Sequence, residues 1–277
     1  MSASSDRYMV LSENERYSVS ARGVLKIKSD GIKVGDRVEF DGENISAVLP
    51  RKNYSQRLNV SNVDCVNIVI AAVPAPDFLL VDKMIIDARL VGAEVFLTVN
   101  KCDIQNGIVE YVTQNYSYAV DDIFVVSTLT GEGIENVKKR IKGKLVVFAG
   151  QSAVGKTSLT NALFGESERV DTVSRKTLRG RHTTTVRKIY FGDDCAVMDT
   201  PGFSSAAVYN VKSSDLRLFY KDFDGYDGSC YYIGCTHTVE PDCLVRSAVN
   251  EGKISQERYD RYVTIYKEIK EYEKRKY

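Results

Sequence analysis

Net charge is nearly absent: 38 Lys and Arg residues stand against 37 Asp and Glu, leaving a formal charge of +1. No strong overall field draws the chain towards nucleic acid or lipid, so any such contact must use local patches. Long apolar runs are missing as well. The opening residues, MSASSDRYMV, hold no apolar segment of the kind a signal peptide or membrane anchor needs. The most apolar stretch, NIVIAAVPAPDFLLV, is broken by Pro74, Pro76 and Asp77 and is not expected to span a bilayer. There is no internal repeat and no low-complexity tract. Cysteine does not suggest a disulfide framework: Cys65, Cys102 and Cys195 are scattered, whereas Cys230, Cys235 and Cys243 cluster. Without a secretion signal, this pattern predicts reduced thiols and one metal site in a cytoplasmic protein with no membrane partner.

What is present is ordinary for a soluble chain: 43% hydrophobic and 27% charged residues in 277, enough for two or three domains. Residues 1–62 carry short strand-like runs, RGVLKIK, DRVEF and ENISAVL, punctuated by Gly31, Gly35 and Gly42 and closed by Pro50. They predict a small β-barrel of OB type. From 63 to 210 the rhythm changes. Apolar runs such as CVNIVIAAV, GAEVFLTVN, DIFVVST, KLVVFAG and DCAVMDT alternate with helical stretches, among them 78–91 and 156–164. This predicts an α/β domain, its mostly parallel sheet covered on both faces and its ligands bound at the carboxyl ends of the strands. Residues 211–277 read as a helical domain around a Cys/His cluster. Its last helix places Tyr259, Tyr262, Val263, Tyr266 and Ile269 on one packing face.

Gly150, Gln151, Ser152, Ala153, Val154, Gly155, Lys156 and Thr157 complete a G-x-x-x-x-G-K-[ST] phosphate loop between strand and helix, with Ser158 following. Backbone N–H groups curl around phosphate oxygens there, helped by the positive end of the helix. Lys156 is expected to reach the β- and γ-phosphates, and the Thr157 hydroxyl to ligate Mg²⁺. Asp199, Thr200, Pro201 and Gly202 form D-x-x-G: the carboxylate holds the Mg²⁺ shell, and the Gly202 N–H senses the γ-phosphate. Between them, RKTLRGRHTTTVRKIY offers Thr183, Thr184 and Thr185, of which Thr184 or Thr185 is expected to bind Mg²⁺.

Asn100, Lys101, Cys102 and Asp103 form N-K-x-D after a strand. The Asp103 carboxylate can accept from N1–H and the 2-amino group of guanine. Adenine offers neither, so it would leave the carboxylate buried without a partner. Asn100 is expected to tie this loop to the phosphate loop, and Lys101 to cover the base. In STLTGEG, the backbone of Ser127, Thr128 and Leu129 can reach the guanine O6. The base-reading element thus precedes the phosphate-binding one, the reverse of ordinary GTPases. A parallel sheet needs its loops placed correctly in space, not in one chain order, so joined termini and a new opening after D-x-x-G preserve the pocket. In that arrangement 199–203 leads straight into the C-terminal segment, a route for a phosphate-driven shift. Cys230-x₄-Cys235-x-His237-x₅-Cys243 supplies three thiolates and one imidazole, the donor set of a closed structural Zn²⁺ site.

Together, N-K-x-D, S-x-L-T-G-E-G, the phosphate loop, GRHTTT, D-T-P-G-F and the Cys/His spacing resemble the circularly permuted small ribosomal subunit biogenesis GTPases. LPRKN at 49–53 and NVDCVNIVIA at 62–71 resemble the family's joint between OB-fold and GTPase domain. The resemblance implies binding of GTP and GDP with Mg²⁺ and hydrolysis of GTP. It also implies contact with the small subunit's 16S rRNA through the OB and zinc domains during late maturation; the chain itself is expected to be a monomer. Thr128 stands where the family has Ala, and Phe203 where signalling GTPases place a water-orienting Gln. Intrinsic hydrolysis is therefore expected to be slow and partner-stimulated, with Lys156 and His182 as catalytic residues. Arg51, Lys52 and Arg57, and Arg175, Lys176, Arg179 and Arg181, are the expected phosphate contacts to rRNA. The alternative is a guanine-nucleotide-sensing RNA-binding module with little turnover; an ATPase is disfavoured by Asp103.

Overall fold

The computed structural model describes residues 7–13, 15–21, 31–56, 60–104, 107–165, 170–173, 187–192, 195–199 and 210–276; of 170–173, 187 and 188 it describes the backbone alone. The N-terminal segment is built of short strands: β1 (Arg7–Ser12), β2 (Glu15–Ala21), β3 (Val38–Phe40) and β4 (Asn44–Val48). They form one sheet in the order β1-β2-β4-β3, antiparallel except where β2 meets β4. DRVEF and ENISAVL hold β3 and β4 as expected, while RGVLKIK lies outside the described residues. The β1–β2 hairpin (RYMVLS and ERYSVSA) is not among the expected strands, and none of the β1 residues is buried. Val19 and Ala21 alone supply the buried positions of β2. A small antiparallel pair, β5 (Tyr54–Ser55) and β6 (Val60–Ser61), leads to the larger domain, and Val60 and Val63 already belong to that domain's core.

The central sheet has seven strands: β7 (Cys65–Ala71), β8 (Glu94–Asn100), β9 (Asp122–Val125), β10 (Leu145–Ala149), β11 (Val170–Val173), β12 (Arg187–Phe191) and β13 (Ala196–Asp199). Their order is β11-β12-β13-β10-β7-β8-β9. β13, β10, β7, β8 and β9 run parallel; β12 and β11 close one edge antiparallel. Every residue of β7 is buried, as a strand covered on both faces requires. Its alternate side chains divide the core. Val66, Ile68 and Ile70 pack with α1 (Phe78–Leu90) and α2 (Ile108–Tyr116). Cys65, Val69 and Ala71 pack with α3 (Ile134–Ile141) and α4 (Lys156–Phe164). α1 and α4 occupy the two stretches predicted to be helical. α1 starts where the Asp77 carboxylate accepts from the Leu80 N–H at 3.0 Å, and its sequence carries no proline to interrupt it.

Strand order explains the placement of the loops. The chain runs outward through β7, β8 and β9 and then returns to lay β10 on the other side of β7. The carboxyl ends of β8, β9, β10 and β13 therefore lie at one end of the sheet, although the first two precede the others in sequence.

The C-terminal segment contains two 3₁₀ turns, Ser213–Phe219 and Lys221–Phe223, then α5 (Leu244–Asn250) and α6 (Gln256–Arg275). Leu216, Tyr220, Phe223, Tyr262, Ile265 and Ile269 form its core together with Ile86 of α1. The expected stripe on α6 is shifted. Tyr262 and Ile269 are buried, Tyr259, Val263 and Tyr266 are half-buried, and the two other buried positions are Arg258 and Ile265. Among the described residues no helix is long and apolar enough to cross a membrane.

Candidate nucleotide site and metal centre

The phosphate loop leaves β10 at Gly150, whose φ of +133° favours glycine. A Cβ there would lie 2.3 Å from the Val69 carbonyl oxygen. At the far end Gly155, φ +96°, begins α4, and a Cβ would meet the Asn100 amide nitrogen at 2.3 Å. These two glycines let the loop curl tightly and lie against the base loop. Lys156 Nζ donates to the carbonyls of Gly150 (2.8 Å) and Gln151 (2.7 Å). Burial lowers its pKa, opposed by the charge of Asp199. Ser152, Ala153 and Ser158 are exposed at the loop, and Val154 is buried beneath it.

Thr157 Oγ1 donates to Asp199 Oδ2 at 3.2 Å, so the ends of α4 and β13 meet. The other carboxylate oxygen, Oδ1, is buried without a hydrogen-bond partner. An orphaned anionic oxygen beside a hydroxyl is a fitting donor pair for Mg²⁺, a hard cation that takes oxygen ligands. Asp103 and Ser127 meet as well: Ser127 Oγ donates to Asp103 Oδ1 at 2.5 Å and accepts from the N–H groups of Leu129 and Thr130.

Asn100 joins the phosphate loop to both base loops. It is buried, and its Nδ2 donates to the Val154 carbonyl at 3.0 Å. Its Oδ1 accepts from the Lys101 N–H at 2.8 Å and the Thr128 N–H at 3.2 Å. Lys101, with φ +63°, sends Nζ to the carbonyls of Val73 (2.6 Å) and Ala153 (3.0 Å). The Cys102 N–H donates to the Val126 carbonyl, and its thiol faces Glu132. Leu129 is largely exposed at the lip. The structure thus gathers Asn100 to Asp103, Ser127 to Leu129, Gly150 to Ser158 and Asp199 at one end of the sheet. His182, Thr183, Thr184, Thr185, Gly202 and Phe203 lie outside the described residues, as does the expected route from 200 to 209.

The ligand atoms of Cys230, Cys235, His237 and Cys243 lie within 4.8 Å of one another. His237 Nδ1 faces the sulfurs of Cys243 (3.3 Å) and Cys230 (3.6 Å), while Nε2 sits 3.0 Å from Asp227 Oδ1. A carboxylate behind a ligating imidazole fixes the ring and its tautomer. Burial pushes the Cys235 thiol up to about 12, and burial raises Cys243 too. A tetrahedral divalent metal such as zinc fits that set, because it binds thiolates and offsets the cost of forming them. Glu240 folds the loop around His237 by accepting from the N–H groups of Thr236, Thr238 and Val239. Burial alone would raise its pKa, yet the Thr236 hydroxyl (2.6 Å) and backbone N–H groups including those of Thr236 and Thr238 hold it at about 2. Neither Asp227 nor Glu240 had a signal in the sequence, since acidic residues near a Cys/His cluster are common.

Of the basic residues, Arg51 has a structural task. It donates to Asp36 through Nε (2.7 Å) and Nη2 (2.9 Å) and lies 5.5 Å from the Tyr54 ring centre. Lys52 pairs with Asp64 at 3.2 Å and stays more than half exposed. Arg57, Arg175, Lys176, Arg179 and Arg181 lie outside the described residues.

Residues 44–209, more than half of the chain, match the family model described as RsgA GTPase. The small ribosomal subunit biogenesis GTPase RsgA of Ruminiclostridium cellulolyticum is 36% identical over 92% of this chain and 87% of its own. That of Caldanaerobacter subterraneus subsp. tengcongensis is 37% identical over 98% and 94%. The crystal structure of YjeQ from Thermotoga maritima superposes with a TM-score of 0.81 at 32% identity, covering 96% of this chain and 95% of that one. YloQ, a circularly permuted GTPase, gives 0.79 at 27% identity over 98% and 93%. A parallel sheet whose base loop precedes its phosphate loop, matched along nearly its whole length, places the chain in the RsgA family of circularly permuted GTPases.

Proposed function

We propose that this GTPase binds the small ribosomal subunit through its 16S rRNA and hydrolyses GTP as the subunit matures, in the cytoplasm. The observation that carries the nucleotide part is the Asn100 side chain, which bonds the phosphate loop and the base loops at once. That bracing sets Asp103, aimed at the guanine edge, at a fixed distance from Lys156. In this reading Lys156 exchanges its two loop carbonyls for phosphate oxygens, and Thr157 and Asp199 hold Mg²⁺ together with Thr184 or Thr185. Mg²⁺, when bound, screens the charge of the β- and γ-phosphates. Leu129, Thr128 and Ser127 present backbone N–H groups to the guanine O6, and Gly202 presents its own to the γ-phosphate. Phe203 orients no water, so His182 is assigned that task on the ribosome. Cys230, Cys235, His237 and Cys243 hold one structural Zn²⁺. The three units are 1–62, 63–210 and 211–277, the outer two meeting RNA. The relatives' names as small ribosomal subunit biogenesis GTPases support the partner.

GTP turnover measured with and without small ribosomal subunits tests this. Stimulation of about tenfold or more is expected, lost in His182→Ala while GDP affinity is kept. Unstimulated turnover in the wild type, with the subunit bound, would instead leave a nucleotide-sensing RNA-binding module.

A further inference from the structure

The charges buried in α6 find their partners on α1, and α1 begins at the phosphate loop. Asp82, in the second turn of α1, has no exposed side-chain surface. Its Oδ1 accepts from Arg258 Nη1 at 2.5 Å and from the Tyr116 hydroxyl at 2.9 Å, and its Oδ2 from Arg261 Nε at 2.7 Å. Arg258 also donates to Asp222 Oδ2 at 2.6 Å, its guanidinium 4.8 and 4.9 Å from the ring centres of Tyr116 and Tyr220. Desolvation works against the charge of Arg258, but Asp82 and Asp222 outweigh it and keep the guanidinium charged. Buried ion pairs of this kind add little stability over an apolar contact of equal volume, yet they fix one geometry. Here the geometry fixed is that of α1 on α6.

Both ends of this contact reach a site. At the start of α1, the Asp77 N–H donates to Gln151 Oε1 at 2.9 Å, and Gln151 Nε2 donates to the Ala75 carbonyl at 3.4 Å. Gln151 is the second residue of the phosphate loop, and its own carbonyl holds Lys156 Nζ. Beside Arg258, Tyr259 and Tyr262 donate to the carbonyls of His237 (2.8 Å) and Thr236 (2.6 Å) in the metal loop.

We propose that Asp82 and Arg258 are positioning residues for the phosphate loop: they hold α1, and α1 holds Gln151, so nucleotide affinity depends on how the C-terminal domain is seated. This path is separate from the connection through 200–209. It rests on the guanine-nucleotide reading of the loop, so binding to the wild type is measured first. A wild type that does not bind would overturn that reading.

The experiment titrates a fluorescent GDP analogue into the full chain and into Asp82→Ala, Gln151→Ala and the double variant, and follows single-turnover hydrolysis at saturating GTP. Each single variant is expected to weaken affinity by about fivefold or more. The double variant should be no weaker than the weaker single, because both changes cut one path. In Asp82→Ala the saturated hydrolysis rate should stay unchanged, since Asp82 touches neither the phosphate loop nor a reacting atom. Asp222→Asn supplies the comparison. It disturbs Arg258 without releasing α1, so thermal stability should fall while affinity holds. Should Asp82→Ala fail to fold, Asp82→Asn keeps the shape and removes the charge. Unchanged affinity in a folded Asp82 variant, additive effects in the double variant, or an equal loss in Asp222→Asn would each overturn the proposal.

Discussion

Asn100 and Arg258 are both buried polar side chains, and only one of them was legible in the sequence. Asn100 belongs to a spaced motif, and the chemistry of that motif already required a tie to the phosphate loop. Arg258 sits in a helix rich in Lys and Glu, where a charge ordinarily faces solvent. Its partners, Asp82 and Asp222, are 176 and 36 positions away, and no local pattern brings them together. Gly155 has the same kind of dependence on a distant atom, so Gly155→Ala is expected to push the Asn100 amide aside and strain the backbone by about 1–3 kcal/mol. Titration with GDP should show that variant binding at least tenfold more weakly, by ~1.4 kcal/mol or more. Asp103→Asn replaces an acceptor with a donor on the side that meets the 2-position. It should lose ~10²-fold or more in GDP affinity and gain binding of xanthosine diphosphate, measured by competition.

At the scale of elements, the parallel strands announced themselves because each is mostly apolar, and β8, β9, β10 and β13 also end in a chemical motif. The edges did not. β1 and β2 bury few side chains, and β11 and β12 run antiparallel beyond the strand that carries Asp199, with nothing in their composition to set the direction. Asp36 shows how the loops between the short strands of the N-terminal segment are tied together. Arg51, the Ser61 hydroxyl (2.5 Å) and the Lys33 N–H (2.7 Å) all donate to it. Burial would raise its pKa, but these donors win and hold it below its ordinary value of 3.8. A depressed value means that the contribution is present above about pH 3.8 and is lost as pH falls through the folded value. Asp36→Asn should therefore cost about 1.5–3 kcal/mol at pH 7, with the gap to wild type closing in urea melts as pH falls below 3.8. In the metal loop, Cys235→Ser removes one of the clustered ligands. Purified wild type should carry one zinc per chain by metal analysis and the variant none. A chelator should melt α5 and α6 in the wild type, seen as lost helical circular dichroism.

For the molecule as a whole, the permuted order is the feature on which the other readings rest. Chain order was plain from the motifs, and so was its consequence that loops distant in sequence must share one end of a sheet. The manner of joining was not plain: β10 lies against β7, which lets the phosphate loop and the base loop meet across it. Nor was the seating of the last helix on α1, which makes the C-terminal domain a neighbour of the nucleotide site rather than an appendage. Calorimetric titration of the intact chain with GTP, GDP and ATP in the presence of Mg²⁺ tests the central claim most directly. One guanine nucleotide should bind per chain, with ATP weaker by ~10²-fold or more. Equal binding of ATP and GTP, or no binding of either, would contradict a pocket in which Asp103 and Lys156 act on one ligand.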